Sequence, residues 1–152
     1  NFVDAEHNYF FASDNFISDR SKMQFHIKNY WNSKDAESPL YLSIEENYEE
    51  KGFCKNGPFY FFNDKVLFYL NEPFPSKNEY LPNINHSIDI CYITQISASS
   101  FENIMQFIHP KVIVTGNDVT KKQAQKITSW CEQNKVEVHD IKKEGAYVLT
   151  YN

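Results

Sequence analysis

Apolar residues from position 88 onward follow two periods, one typical of buried strands and one typical of amphipathic helices. Short apolar runs at residues 88–94, 111–115 and 136–141 predict buried strands. Between them, apolar residues recur every three or four positions, which predicts one buried face on each of two helices. The residues of these two faces are Phe101, Ile104, Met105 and Ile108, then Ala124, Ile127 and Cys131. This order of elements predicts an α/β domain with a mixed sheet and flanking helices.

Two short motifs mark the beginnings of these predicted helices. Ser99 with Glu102, and Thr120 with Gln123, have the spacing of a capping box, in which each side chain accepts a hydrogen bond from the other residue's backbone amide. A Lys-Lys-Glu-Gly turn after the third strand then predicts a hairpin that ends in a last strand at residues 146–149.

The first 86 residues carry a less regular pattern that is rich in aromatic side chains. One apolar helix stripe is formed by Met23, Ile27, Tyr30 and Trp31. Three prolines between residues 71 and 86 exclude a regular element there and predict a long surface loop. In chain order, the pattern predicts short strands within residues 2–13, the striped helix capped by Ser18 or Asp19, a strand at residues 40–44, and a β-hairpin of residues 58–62 and 66–70.

Length and composition are those of one folded domain. The chain has 152 residues, and its aromatic fraction of 16% supplies enough large rings to fill a core. It begins at Asn1 without a methionine and contains neither a signal peptide nor a membrane-spanning run. We therefore expect residues 1–152 to be a single α/β domain taken from a longer protein.

The net charge of −5 counts against a broad nucleic-acid surface, because such surfaces need many lysines and arginines. A local basic patch is the exception that the sequence allows. Lys121, Lys122 and Lys126 share one predicted helix, and Lys142 with Lys143 lies at the predicted hairpin turn. The simpler interpretation is a solvated helix face and a charged hairpin tip.

Cysteine and histidine spacing gives no direct evidence for a metal site or a catalytic thiol. Cys54, Cys91 and Cys131 form no CxxC pair, and the last two lie at positions where a small apolar residue is buried. The histidines are also scattered, without an HxH, HxxxH or HExxH spacing. We expect structural roles for all five, namely His7, His26, His86, His109 and His139.

Two weaker signals concern phosphate and magnesium. Gly116 follows a strand and precedes a helix, but one glycine beside Asp118 predicts a strand-to-helix turn with N-capping rather than a phosphate site. Carboxylates near predicted strand ends are able to hold Mg²⁺ by themselves. These carboxylates belong to Asp4, Asp14, Asp64, Asp89 and Asp118.

The C-terminal third resembles a known family. The strand at residues 88–94 precedes T-Q-I-S at residues 94–97, and the next strand reads P-K-V-I-V-T-G-N at residues 110–117. W-C at residues 130–131 and E-G-A-Y-V at residues 144–148 follow. This series resembles the metallo-β-lactamase-like domain at the end of ComEC-type DNA-uptake proteins, in particular those of Bacteroidetes-type bacteria. The resemblance implies a metallo-β-lactamase-like α/β sandwich.

Catalytic members of that family carry an HxHxDH run and, later, a His-His-Gly-Ser segment. Residues 94–97 occupy the place of the second motif without a histidine, and nothing in the chain matches the first. Zinc needs those imidazole and carboxylate ligands. The resemblance therefore implies a degenerate domain, for which we predict no catalytic, metal-binding or cofactor-binding residues and no small-molecule cofactor.

The resemblance also implies a function and a location. We expect a non-catalytic domain of a ComEC-like competence protein of the inner membrane, which lies outside the membrane on its non-cytoplasmic side and serves as a scaffold or as a contact for DNA or a partner. Its expected partners are the rest of the parent protein and, weakly, single- or double-stranded DNA. Two alternatives stay open, namely a divergent metal-dependent phosphodiesterase or nuclease that uses the strand-end aspartates, and an unrelated α/β binding module.

Overall fold

The computed structural model describes residues 2–3, 8–25, 39–71 and 87–149. The chain forms two compact units, Asn1–Glu49 and Glu50–Asn152. Most of the predicted loop at residues 71–86 lies outside the described residues. So do Asp4, His7, His26, Ile27, Tyr30, Trp31 and His86. The expectation of a single domain stays a prediction.

In its described residues, the first unit contains a three-stranded sheet and two short helices. Strand β2 is antiparallel to β1 and parallel to β3. Asp19 is the N-cap of α2, because its carboxylate accepts hydrogen bonds from the backbone amides of Ser21 and Lys22, each at 3.1 Å. The elements are β1 (Phe2–Val3), β2 (Asn8–Ala12), α1 (Asp14–Ser18), α2 (Arg20–Met23) and β3 (Leu40–Ser43). The predicted strands and the Asp19 cap are confirmed, whereas α1 was not predicted.

The second unit is built on a mixed sheet in the strand order β10-β9-β8-β7-β6-β5. Strands β5, β6 and β7 pair antiparallel, whereas β7, β8, β9 and β10 pair parallel. Strand β4 (Tyr48–Glu50) crosses the boundary between the two units. The strands of the second unit are β5 (Phe53–Asn56), β6 (Phe59–Phe62), β7 (Lys65–Leu70), β8 (Ile88–Ile93), β9 (Pro110–Thr115) and β10 (Glu137–Asp140). The helices are α3 (Ala98–Ile104), α4 (Lys121–Asn134) and α5 (Ile141–Glu144). The α/β class and the mixed sheet are confirmed.

The core of the second unit lies between one face of this sheet and the helices α3 and α4. Alternate residues of β7 point into it, so that Phe68 and Leu70 are fully buried. Cys91 of β8 and Ile113 of β9 are buried in the same cluster. All the residues predicted for the two inner faces belong to this cluster, Ala124 as a partly buried member. The predicted face of α4 is confirmed, whereas that of α3 is confirmed only for Phe101 and Ile104, because α3 ends at Ile104 and Met105 and Ile108 are buried beyond it.

Three local predictions are wrong. Helix α3 is capped by Ser97 rather than Ser99, because the Ser97 hydroxyl accepts a hydrogen bond from the Ser100 amide at 3.2 Å. Residues 141–144 form the short helix α5 instead of a hairpin turn, and residues 146–149 form no strand. Strands β4 and β5 were not predicted.

Candidate functional site

The parallel strands β7, β8 and β9 end side by side, at the edge of the sheet where sites of α/β proteins usually form. Thr94, just after β8, donates a hydrogen bond to Asn71 Oδ1 at 3.1 Å and lies 3.3 Å from the hydroxyl oxygen of Tyr69. The rings of Tyr69 and Tyr92 stack with their centroids 5.7 Å apart. This edge therefore presents hydroxyl and amide groups that bond to one another, and these groups are poor acids and bases.

Gly116 lets the chain leave β9 in close contact with β8. Its backbone amide donates to the carbonyl oxygen of Ile93 at 2.7 Å. A Cβ atom at Gly116 would lie 2.9 Å from the Tyr92 hydroxyl and 3.2 Å from that carbonyl oxygen. The glycine is needed for this approach, and the predicted strand-to-helix turn is confirmed. The N-cap of α4 is Thr120, however, and not Asn117 or Asp118.

The capping box of α4 is confirmed. The Thr120 hydroxyl accepts from the Gln123 amide at 3.3 Å, and Gln123 Oε1 accepts from the Thr120 amide at 2.8 Å. Gln123 Oε1 also accepts from the Thr120 hydroxyl, and Gln123 Nε2 donates to the carbonyl oxygen of Ile96. Gln123 therefore joins the beginning of α4 to the loop that precedes α3.

Asp89 is the only one of the candidate aspartates in the described part of the chain that is buried. Its Oδ1 accepts from Lys111 Nζ at 2.7 Å, and its Oδ2 accepts from the Val66 amide at 3.0 Å. Burial by itself raises the pKa of Asp89, but these hydrogen bonds outweigh burial and hold the pKa below its usual value. Asp89 thus acts as a structural carboxylate that joins β7, β8 and β9.

The other candidate aspartates do not gather around Asp89. Asp14 lies in the first turn of α1, Asp64 in the exposed turn between β6 and β7, and Asp118 in the exposed turn before α4. Within residues 2–3, 8–25, 39–71 and 87–149, no three His, Cys, Asp or Glu side chains come close enough to hold a metal ion. The described aspartates therefore do not come together as a Mg²⁺ site.

His139 holds the segment that follows α5. Its Nε2 donates to the carbonyl oxygen of Gly145 at 2.8 Å, and its Nδ1 lies 3.6 Å from a carboxylate oxygen of Glu144. The imidazole also packs against the ring of Tyr147, with centroids 5.2 Å apart. These contacts give His139 the structural role expected from the sequence, while His109 is exposed in a loop.

Two of the three thiols are buried, as predicted. Cys91 and Cys131 are inaccessible to solvent, and Cys54 is half-buried. Burial raises the pKa of Cys131 to about 11, and it raises the pKa of Cys91 further. Since the thiolate is the reactive form, Cys91 and Cys131 are inert at neutral pH.

A groove lies between α3 and α4 in the second unit. Phe101 forms its floor, and the half-buried Trp130 meets Phe101 at an angle of 83° with the ring centroids 5.5 Å apart. Glu102 stands on the α3 lip and Lys126 on the α4 lip, and both side chains are exposed. The sequence analysis missed this groove. Its one sequence signal is Trp130, a large ring beside the predicted inner stripe of α4.

The lysines near the C-terminal end form two groups, which differ in whether their ammonium groups are bonded to other groups of the protein. Lys142 Nζ donates to the carbonyl oxygen of Val119 at 2.6 Å, and Lys143 forms an ion pair with Asp140 at 3.1 Å. The exposed lysines of α4, by contrast, have no ion-pair partner among the residues that the structure covers. These are Lys121, Lys122 and Lys126, and we call them the α4 lysines. The α4 lysines adjoin the groove through Lys126.

Comparisons with known proteins give one match. A family model described as the ComEC C-terminal domain matches residues 1–151 of the chain. No curated protein and no solved structure matches it. Across the described residues, every helix is too short or too polar to cross a membrane.

Proposed function

The chain belongs to the ComEC C-terminal domain family, and from this premise we propose that it is a non-catalytic DNA-contacting domain of a competence protein. We also propose that the parent protein lies in the inner membrane, with this domain on its non-cytoplasmic side. The fold is proposed to be a degenerate metallo-β-lactamase-like sandwich. What supports this finer assignment is the β8–α3–β9–α4–β10 order, together with the P-K-V-I-V-T-G-N strand.

The observation that carries the DNA contact is the set of α4 lysines. Three ammonium groups lie on the exposed side of one helix, at its first, second and sixth residues, with no carboxylate among the described residues bound to them. Cations of this kind bind phosphate by releasing the counterions that surround a nucleic acid. Because the net charge of the chain is −5, we expect this contact to be local and weak.

The non-catalytic assignment is supported by the side chains that lie at the ends of β7 and β8. Hydrolysis of a phosphodiester needs a metal ion or an acid and base near the reacting atoms. Thr94, Asn71 and Tyr69 occupy the ends of β7 and β8, and they hydrogen-bond to one another. Asp89 is held by Lys111 and the Val66 amide away from this edge. These contacts favour a binding role over chemistry.

The α4 lysines are tested by the salt dependence of DNA binding. We expect the Lys122→Gln/Lys126→Gln protein to bind a labelled single strand more weakly than the unchanged domain. The slope of log K against log salt should fall by about 1.4, because each phosphate contact on a single strand contributes about 0.7. Fluorescence anisotropy titrations at several salt concentrations measure this slope.

A matched control is the Lys51→Gln/Lys135→Gln protein, which removes the same charge from two exposed lysines elsewhere. It should keep the slope of the unchanged domain. Equal slopes for both double variants would contradict a contact at α4. Metal-dependent cleavage that is lost in Asp64→Asn or Asp89→Asn would instead support the divergent phosphodiesterase, and absence of any DNA binding would contradict the proposed DNA contact.

A further inference from the structure

We propose that the groove between α3 and α4 holds one unpaired nucleobase, so that the domain prefers single-stranded over double-stranded DNA. This inference rests on the DNA contact proposed for the α4 lysines, and it adds the form of DNA that is bound. Lys126 belongs both to the α4 lysines and to the groove, which places the phosphate contact beside the apolar surface.

The groove has the surface that a base needs. Ile127 and Phe101 are buried to 2% and 3% exposure, and Trp130 leaves part of its indole accessible above them. The perpendicular packing of Phe101 against Trp130 fixes the indole in one orientation. A fixed aromatic ring beside a cation is the arrangement on which bases of single strands stack.

The polar groups of the groove do not distinguish one base from another. In the Gln123 side chain, Oε1 accepts from the Thr120 amide and Nε2 donates to the Ile96 carbonyl oxygen. The Ser97 hydroxyl donates to Ser100 Oγ at 2.8 Å and accepts from the Ser100 amide. Gln123 and Ser97 therefore use these groups within the protein, and we expect the groove to select weakly between base edges. Any of the four bases should fit, because each has an apolar face.

The charges on the two sides of the groove favour a single strand, which has one phosphate backbone, over a duplex, which has two. Lys126 attracts a phosphate on the α4 side, whereas Glu102 repels a phosphate on the α3 side. A single strand satisfies both conditions when its backbone follows α4 and its base points into the groove. In a duplex the bases are stacked and paired. A base of a duplex can enter the groove only after it is unpaired and unstacked, and this step costs free energy.

An abasic strand tests the proposal because it has the phosphates of an ordinary strand without the bases. We expect a labelled oligo(dT) to bind about tenfold more tightly than an abasic strand of equal length, since stacking of one base on an aromatic ring has about that effect. The same oligo(dT) should also bind more tightly than its duplex with oligo(dA). Both comparisons use the unchanged domain, so they do not depend on the folding of a variant.

Variants of Trp130 test whether the preference for oligo(dT) over the abasic strand arises in the groove. Trp130→Leu should abolish the preference for oligo(dT) over the abasic strand, and Trp130→Phe should retain most of it. If both strands bind equally and the α4 lysines still set the salt slope, the base-binding groove is overturned while the DNA contact stands. If neither strand binds, both proposals fail. Stronger displacement of a groove-bound probe by an acidic, tryptophan-containing peptide than by oligo(dT) would make a peptide the occupant and also overturn the inference.

Discussion

Phe68→Ala lowers the free energy of unfolding of the domain by about 3–5 kcal/mol, the usual cost of removing a buried phenylalanine ring. Phe68 is 0% exposed in β7, between the antiparallel and parallel halves of the sheet. Its ring stacks on that of Phe59 with the centroids 4.8 Å apart. Removing the ring leaves a cavity that neighbouring strands cannot fill by moving. Urea unfolding followed by circular dichroism measures the loss.

Phe107→Ala is the matched control for this prediction. The same atoms are removed, but Phe107 is 57% exposed in the turn after α3. Its substitution should change the free energy of unfolding by less than about 0.5 kcal/mol, as surface changes usually do. A loss of similar size in the two variants would contradict the burial that the structure gives to Phe68.

Asp89→Ala destabilises the domain at neutral pH by about 1–3 kcal/mol, because the amide of Val66 loses its acceptor in a buried place. Lys111 loses its anionic partner in the same variant, although its own side chain is 62% exposed. Asp89→Asn should cost less, since an amide oxygen still accepts from Val66. Denaturant titrations of the three proteins give the order of stability.

The pH dependence of Asp89 follows from the direction of its pKa. The folded state lowers this pKa below the unfolded value of about 3.9, so the stabilisation is present above that value. It is lost as the pH falls through the folded pKa. The difference between the unchanged domain and Asp89→Asn should therefore shrink as the pH falls below about 4. The exposed Asp118→Asn serves as control, and a difference that grows on acidification would contradict the role given to Asp89.

The elements that the sequence predicted correctly are those whose signals are local. Thr120 and Gln123 form their capping box because both partners lie within one helical turn. The β6–β7 hairpin is also local, and its turn places Asn63 at φ 54°, a conformation that asparagine tolerates better than most residues. The buried helix faces follow directly from apolar periodicity.

The wrong predictions concern places where distant contacts decide between similar local choices. Serine is a favourable N-cap residue at either position 97 or position 99. The structure uses Ser97, because the buried side chain of Ile96 fixes the path of the chain after β8. The Tyr-Val-Leu run at residues 147–149 has strand character but pairs with no strand among the described residues. Instead, Asp140 caps α5 by accepting from the Lys142 amide, and His139 holds Gly145.

The candidate site was predictable in part. The three lysines were visible because they share one helix. The groove was not, because it depends on Phe101 and Trp130 meeting across two helices that are separate in the sequence. The hydrogen bonds of Asp89 were equally unpredictable, since its partners Val66 and Lys111 are 23 and 22 residues away in the sequence.

The central claim is that this domain contacts DNA without a metal ion. The most direct test is an anisotropy titration of a labelled single strand with the purified domain in the presence of EDTA, followed by a denaturing gel of the same samples. The account predicts saturable, salt-dependent binding that EDTA leaves unchanged, with the strand intact. Loss of binding in EDTA and its return with Mg²⁺ or Mn²⁺, or cleavage of the strand when metal is restored, would contradict it.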